Sequence, residues 1–99
     1  MNYKIKDLPV GERPRERLKE VGINNLSDKE LLAIILKTGT KNRSVNLIAL
    51  DLLDKYNLND FKNISINDLT TIKGIGEVKA LELICSIELG KRIFLKEEY

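Results

Sequence analysis

Apolar residues recur at helical spacing in a series of short segments, each bounded by a capping residue, a proline or a glycine. Pro14 suits the first turn of a helix running to about Val21, with Leu18 and Val21 on its apolar side and Gly22 as its stop. Ile23 and Leu26 are expected to pack the following loop down. Ser27, Asp28, Lys29 and Glu30 spell a capping box, which predicts a helix to about Lys37. Its apolar run over residues 31–36 reads as buried on most sides, and Thr38-Gly39-Thr40 ends it. A third helix starts near Ser44 and carries Val45, Ile48 or Ala49, Leu52 and Tyr56 on one face. Asp51, Asp54 and Lys55 lie outside, and Asn57 serves as a left-handed stop. Leu58, Phe61 and Ile64 predict a further helical turn with three core anchors.

The pattern is most informative at Ile72-Lys73-Gly74-Ile75-Gly76, where two glycines two apart separate a short amphipathic segment from a long one. Ser65 as N-cap, with Asp68 three residues on, opens the first segment, whose apolar positions are Ile66, Leu69 and Ile72. The second opens with Glu77, places Val78, Leu81, Ile84 or Cys85, and Leu89 along one face, and runs into the nineties. Gly74 is expected to take the positive φ that stops the first helix, and Gly76 to remove the Cβ that would keep a ligand away. The unpaired amides and the positive dipole end of the second helix then form a seat for a phosphate. Its candidate residues are Lys73, Gly74, Ile75, Gly76, Glu77 and Lys79. A purely structural turn between two antiparallel helices is the competing reading.

Composition narrows the chemistry. The 99 residues suit one domain with one modest core, and the 42% hydrophobic and 32% charged residues suit a globular protein. The first residues lack the apolar core of a signal peptide, so the cytoplasm is the default compartment. There is no histidine, which excludes the usual zinc sites and histidine-activated nucleophiles. The single cysteine, Cys85, is expected to be a buried apolar residue of the last helix. No catalytic residue, metal or cofactor is expected. A net charge of +2 is too small to identify a nucleic-acid binder by itself, so local clusters matter more. Lys37, Lys41 and Arg43 surround a glycine-containing loop with no acid between them, and Lys41 and Arg43 are secondary candidates for a phosphate-facing surface.

The order of cap, apolar helix, glycine turn and apolar helix occurs twice, first through Ser27, Leu31, Gly39 and Val45, then through Ser65, Leu69, Gly74 and Val78. The expected fold is therefore all-α, a compact bundle of five or six helices containing two helical hairpins. Residues 1–12 form an arm, 13–56 the first helices and hairpin, and 58–95 the second hairpin, all in a single domain over residues 1–99. Beyond Gly90 the chain stays helical while exposing Phe94, Leu95 and Tyr99, as if something else covered them.

The strings Lys6-Asp7-Leu8-Pro9, Glu12-Arg13-Pro14-Arg15-Glu16-Arg17-Leu18, Leu26-Ser27-Asp28 with Glu30-Leu31-Leu32-Ala33-Ile34, and Thr38-Gly39-Thr40 with Ser44-Val45 resemble the N-terminal domain of the bacterial RadC family. The Gly74-Ile75-Gly76 turn resembles that family's helix-hairpin-helix, which is similar to the second domain of RuvA and of SAM-like type. The resemblance implies a fragment without the family's C-terminal JAMM-type (JAB, or MPN-plus) domain, whose zinc ligands include histidines. It also implies an association with DNA repair. Two functions follow as expectations: a non-catalytic module that grips DNA backbone weakly and without sequence preference, or an interaction module that docks on the JAMM-type domain or another partner.

Overall fold

The computed structural model describes residues 13–95. Five α-helices and two 3-10 segments follow in order: α1 (Pro14–Val21), a 3-10 turn (Ile23–Asn25), α2 (Asp28–Leu36), α3 (Val45–Lys55), a 3-10 segment (Leu58–Asn63), α4 (Ile66–Thr70) and α5 (Glu77–Leu95). The described residues form an all-helical bundle, as the spacing predicts; the expected arm over residues 1–12 and Tyr99 lie outside them.

Local chemistry sets most boundaries. Pro14 occupies the first position of α1, and Gly22 ends it at φ 83°, a value few side chains tolerate. At Ser27 the hydroxyl accepts from the Glu30 N–H at 3.2 Å while the Ser27 N–H donates to the Glu30 carboxylate at 3.0 Å. The same reciprocal pairing joins Ser65 to Asp68, and Asn57 to Asp60. Asn57 is therefore not the left-handed stop of α3. The chain leaves α3 through extended Tyr56, and Asn57, also extended, caps the 3-10 segment that follows.

The core gathers Leu32, Ala33 and Leu36 of α2, Val45, Ile48, Ala49 and Leu52 of α3, Phe61 and Ile64, Leu69 of α4, Ile72 and Ile75 of the turn, and Ala80 and Leu83 of α5. α2 packs against both α3 and α5, and α4 against α5, so the two expected hairpins share one core. Three apolar expectations are corrected. Ile23 and Leu58 are exposed, because each sits at the start of a 3-10 turn whose later residue, Leu26 or Phe61, takes the inward position. The third correction concerns α5. Its buried positions are Ala80 and Leu83, with Ile84 and Ile87 half-buried beside them. Val78, Leu81, Cys85 and Leu89 lie outside, so Cys85 is an exposed thiol. Small Ala80 lets α5 approach the core closely, and that approach turns the bulkier stripe away.

Candidate nucleic-acid interface

The turn between α4 and α5 is built from two anchors and two glycines. α4 ends at Thr70, and Thr71 continues in right-handed helical conformation, so Gly74 does not itself stop the helix. It reverses the chain three residues later, at φ 100°. A Cβ at this position would lie 2.5 Å from Ile48 Cδ1 and 3.5 Å from Thr40 Cγ2. Glycine is thus required twice, by its backbone conformation and by the α3 side chain beneath it. Ile72 and Ile75, both buried, pin the turn from either side, and the Ile75 N–H donates to the Ile72 carbonyl at 3.0 Å.

Gly76 plays a different part. Its carbonyl accepts from the Ala80 N–H at 3.0 Å, the first bond of α5, so it stands at the N-cap position without a side chain to close the helix. Ser27, Ser44, Asn57 and Ser65 each fill that role elsewhere. A Cβ at residue 76 would meet nothing within 4 Å. Gly76, Glu77 and Val78 are exposed at the start of the longest helix, where the positive end of its dipole lies.

The first hairpin's loop lies alongside. Thr40 and Arg43 bracket a tight turn in which the Thr40 N–H donates to the Arg43 carbonyl at 2.8 Å, and Lys41 is exposed at its tip. Gly39 makes the turn possible, since a Cβ there would lie 2.2 Å from the Arg43 carbonyl oxygen. The Thr40 methyl lies beside Gly74, which brings Lys41 into the neighbourhood of the second hairpin.

The candidate residues divide by what already holds them. Lys73 and Lys41 are exposed and enter no ion pair among the described residues. Arg43 forks onto Asp51 through two bonds of 2.7 and 2.8 Å, and this pairing raises its pKa further above its ordinary value. Its charge is largely balanced, and it fastens the loop to α3. Lys79 turns inward, where its ammonium donates to the Leu36 carbonyl at 2.5 Å and reaches Thr38 Oγ1 at 3.4 Å. Burial, aided by nearby Lys37, lowers its pKa although Glu82 opposes the shift. The Ile75 amide is taken by Ile72, and the next two residues, Gly76 and Glu77, are both exposed. The Glu77 carboxylate suits the helix dipole but repels an incoming anion.

Lys55 joins this region without a sequence signal. From the last turn of α3 it donates to Thr71 Oγ1 at 2.8 Å, across 16 residues of chain, and stands at the edge of the α4–α5 turn. Thr40 is likewise visible only in space. Among the described residues no group of three or more acidic, histidine or cysteine side chains is placed to hold a metal ion. No helix among them is long and apolar enough to cross a membrane.

The family profile described as UPF0758 N-terminal matches residues 5–81. A UPF0758 protein of Clostridium botulinum strain Hall is 50% identical over 92 residues, which is 92% of this chain and 40% of that protein. The UPF0758 protein YsxA of Bacillus subtilis strain 168 is 48% identical over 91 residues, 91% of this chain and 39% of its own length. No solved structure matches. The chain spans about two fifths of the length of the curated relatives it matches, in the region the profile calls N-terminal. The RadC-type strings of the sequence and these matches converge: the chain belongs to the UPF0758 family and carries its RadC-related N-terminal region.

Proposed function

We propose that this region is a non-catalytic module that grips the sugar-phosphate backbone of DNA without reading bases, through a helix-hairpin-helix formed by α4, the 71–76 turn and α5. The observation that carries the reading is the start of α5. Gly76 brings no side chain to cap the helix, and it and Glu77 are exposed, on a turn anchored by buried Ile72 and Ile75 and by Gly74 at positive φ. A phosphate oxygen accepts from the Gly76 and Glu77 amides, Lys73 supplies charge, and Lys41 on the neighbouring loop reaches a second phosphate. Arg43 and Lys79 hold the two loops in place. In this reading the module works on DNA in the cytoplasm as part of a longer protein associated with DNA repair or recombination.

Contact with about two phosphates sets the affinity at the weak end of the roughly 10⁻⁴ to 10⁻⁶ M non-specific range, with a log–log salt slope near −2. Fluorescence anisotropy with a short labelled duplex at low salt tests this. Saturable binding that is insensitive to sequence, and that Lys73→Glu and Gly76→Glu each abolish while circular dichroism stays unchanged, supports the reading. Absence of binding, or variants that bind as the parent does, removes it.

A further inference from the structure

α5 is apolar on two opposite faces. Ala80, Leu83 and Ile87 turn to the core, while Val78, Leu81, Cys85, Leu89 and Ile93 form a second stripe on the solvent side. Val78 is 69% exposed and Leu89 60%. A helix with one wet face ordinarily carries polar residues there, and a contiguous apolar stripe marks a surface that meets something. Beside it, Ile34, Ile35, Leu81 and Cys85, with Ser86 and the paired Lys37 and Glu82, line a shallow groove of about 600 Å³ between α2 and α5.

The charges that punctuate this face are already matched within the chain. Lys37 pairs with Glu82 at 3.2 Å, and Arg92 with Glu88 at 2.9 Å. An occupant therefore needs to supply apolar surface and not countercharge, which separates this face from the phosphate-facing turn.

We propose that the outer stripe of α5, together with the α2–α5 groove, seats the C-terminal region that longer family members carry. The family's N-terminal profile ends at residue 81, and the stripe begins there, at Val78 and Leu81, and runs on to Ile93. The apolar surface thus extends along the helix in the direction of the region that occupies most of the relatives' length. A covalently attached region meets the face at high effective concentration, so a groove of this modest size suffices to hold it.

Cys85, in the middle of the stripe, reports occupancy. The rate of maleimide labelling at Cys85, read by peptide mass spectrometry, is to be compared between the 99-residue chain and a chimera in which this chain replaces the matching region of the Bacillus subtilis relative. Docking slows labelling in the chimera by about tenfold or more, as expected for a face covered most of the time. Leu89→Glu in the chimera restores the fast rate while helical content stays unchanged. Equal rates in chain and chimera overturn the proposal. So does protection of the 99-residue chain alone that rises with its concentration, because a second copy then holds the face.

Discussion

The ammonium of Lys79 on α5 donates to the main-chain carbonyl of Leu36, the last residue of α2, at 2.5 Å. The same carbonyl accepts from the Thr38 N–H at 2.9 Å, closing a γ-turn over Lys37, which sits at φ 74° and ψ −60°. That conformation is uncommon and strained for a residue with a side chain. The cation from α5 stabilises the oxygen on which the turn depends, and so sets where the Thr40–Arg43 loop emerges relative to the second hairpin. Lys79 is a positioning residue in this arrangement. Lys79→Met keeps the aliphatic stem and removes the donor; it is expected to cost about 1 kcal/mol in urea unfolding and to leave the salt slope of DNA binding unchanged. A slope shallower by about 1 would instead place the ammonium on a phosphate.

The two glycines of the α4–α5 turn separate stability from contact. At Gly74 an added methyl meets Ile48 at 2.5 Å in a backbone conformation of positive φ, whereas at Gly76 it meets nothing within 4 Å. Gly74→Ala is therefore expected to destabilise by about 2 kcal/mol or more, combining overpacking with backbone strain. Gly76→Ala is expected to stay within about 1 kcal/mol of the parent, because the unfolded chain loses freedom and no contact is lost. Parallel urea titrations check the pair. If Gly76→Ala still weakens DNA binding in anisotropy titrations, glycine at that position serves a ligand and not the fold.

Helix starts were legible in the sequence because their chemistry is local. Ser27 with Glu30, and Ser65 with Asp68, satisfy each other within one turn, and no distant residue is needed to recognise them. The inward face of α5 was not legible. Val78, Leu81, Cys85 and Leu89 repeat as regularly as Ala80, Leu83 and Ile87, and periodicity alone cannot choose between two apolar stripes on one helix. Packing chose the stripe that begins with the smallest side chain. In the candidate site the turn itself was readable from its glycines, but the roles of the cations were not. Lys79 meets Leu36 across 43 residues of chain, and Arg43 meets Asp51 only once α3 has formed.

Acid should weaken the contact between α1 and α2. The Arg17 guanidinium bonds the Glu30 carboxylate at 2.8 Å, and together with the Ser27 N–H it lowers the Glu30 pKa from 4.5 to about 2. A carboxyl depressed on folding contributes its full stabilisation above its unfolded pKa and loses it as pH falls through the folded one. The window thus runs from 4.5 down to about 2. Glu30→Gln keeps the neutral half of the capping box and removes the titration. Its urea midpoint is expected below the parent's at neutral pH and close to it at the acid end of the window. A constant gap between the two proteins across that range would show that the ion pair contributes nothing that titrates.

Salt dependence distinguishes one joined surface from a single hairpin. Thr40 touches the space beside Gly74, so Lys41 and Lys73 are expected to act on the same duplex. Each phosphate contact neutralised by a lysine contributes about −1 to the log–log slope of affinity against salt. Lys41→Ala and Lys73→Ala should each make the slope shallower by about 1, and the double variant should flatten it almost completely. Lys29, in the first turn of α2 and so at the opposite end of that helix from the loop, supplies the control. Lys29→Ala should leave both slope and affinity at the parent's values. A slope that changes with Lys73 and not with Lys41 would confine phosphate binding to the α4–α5 turn, with Thr40 present only as packing against Gly74.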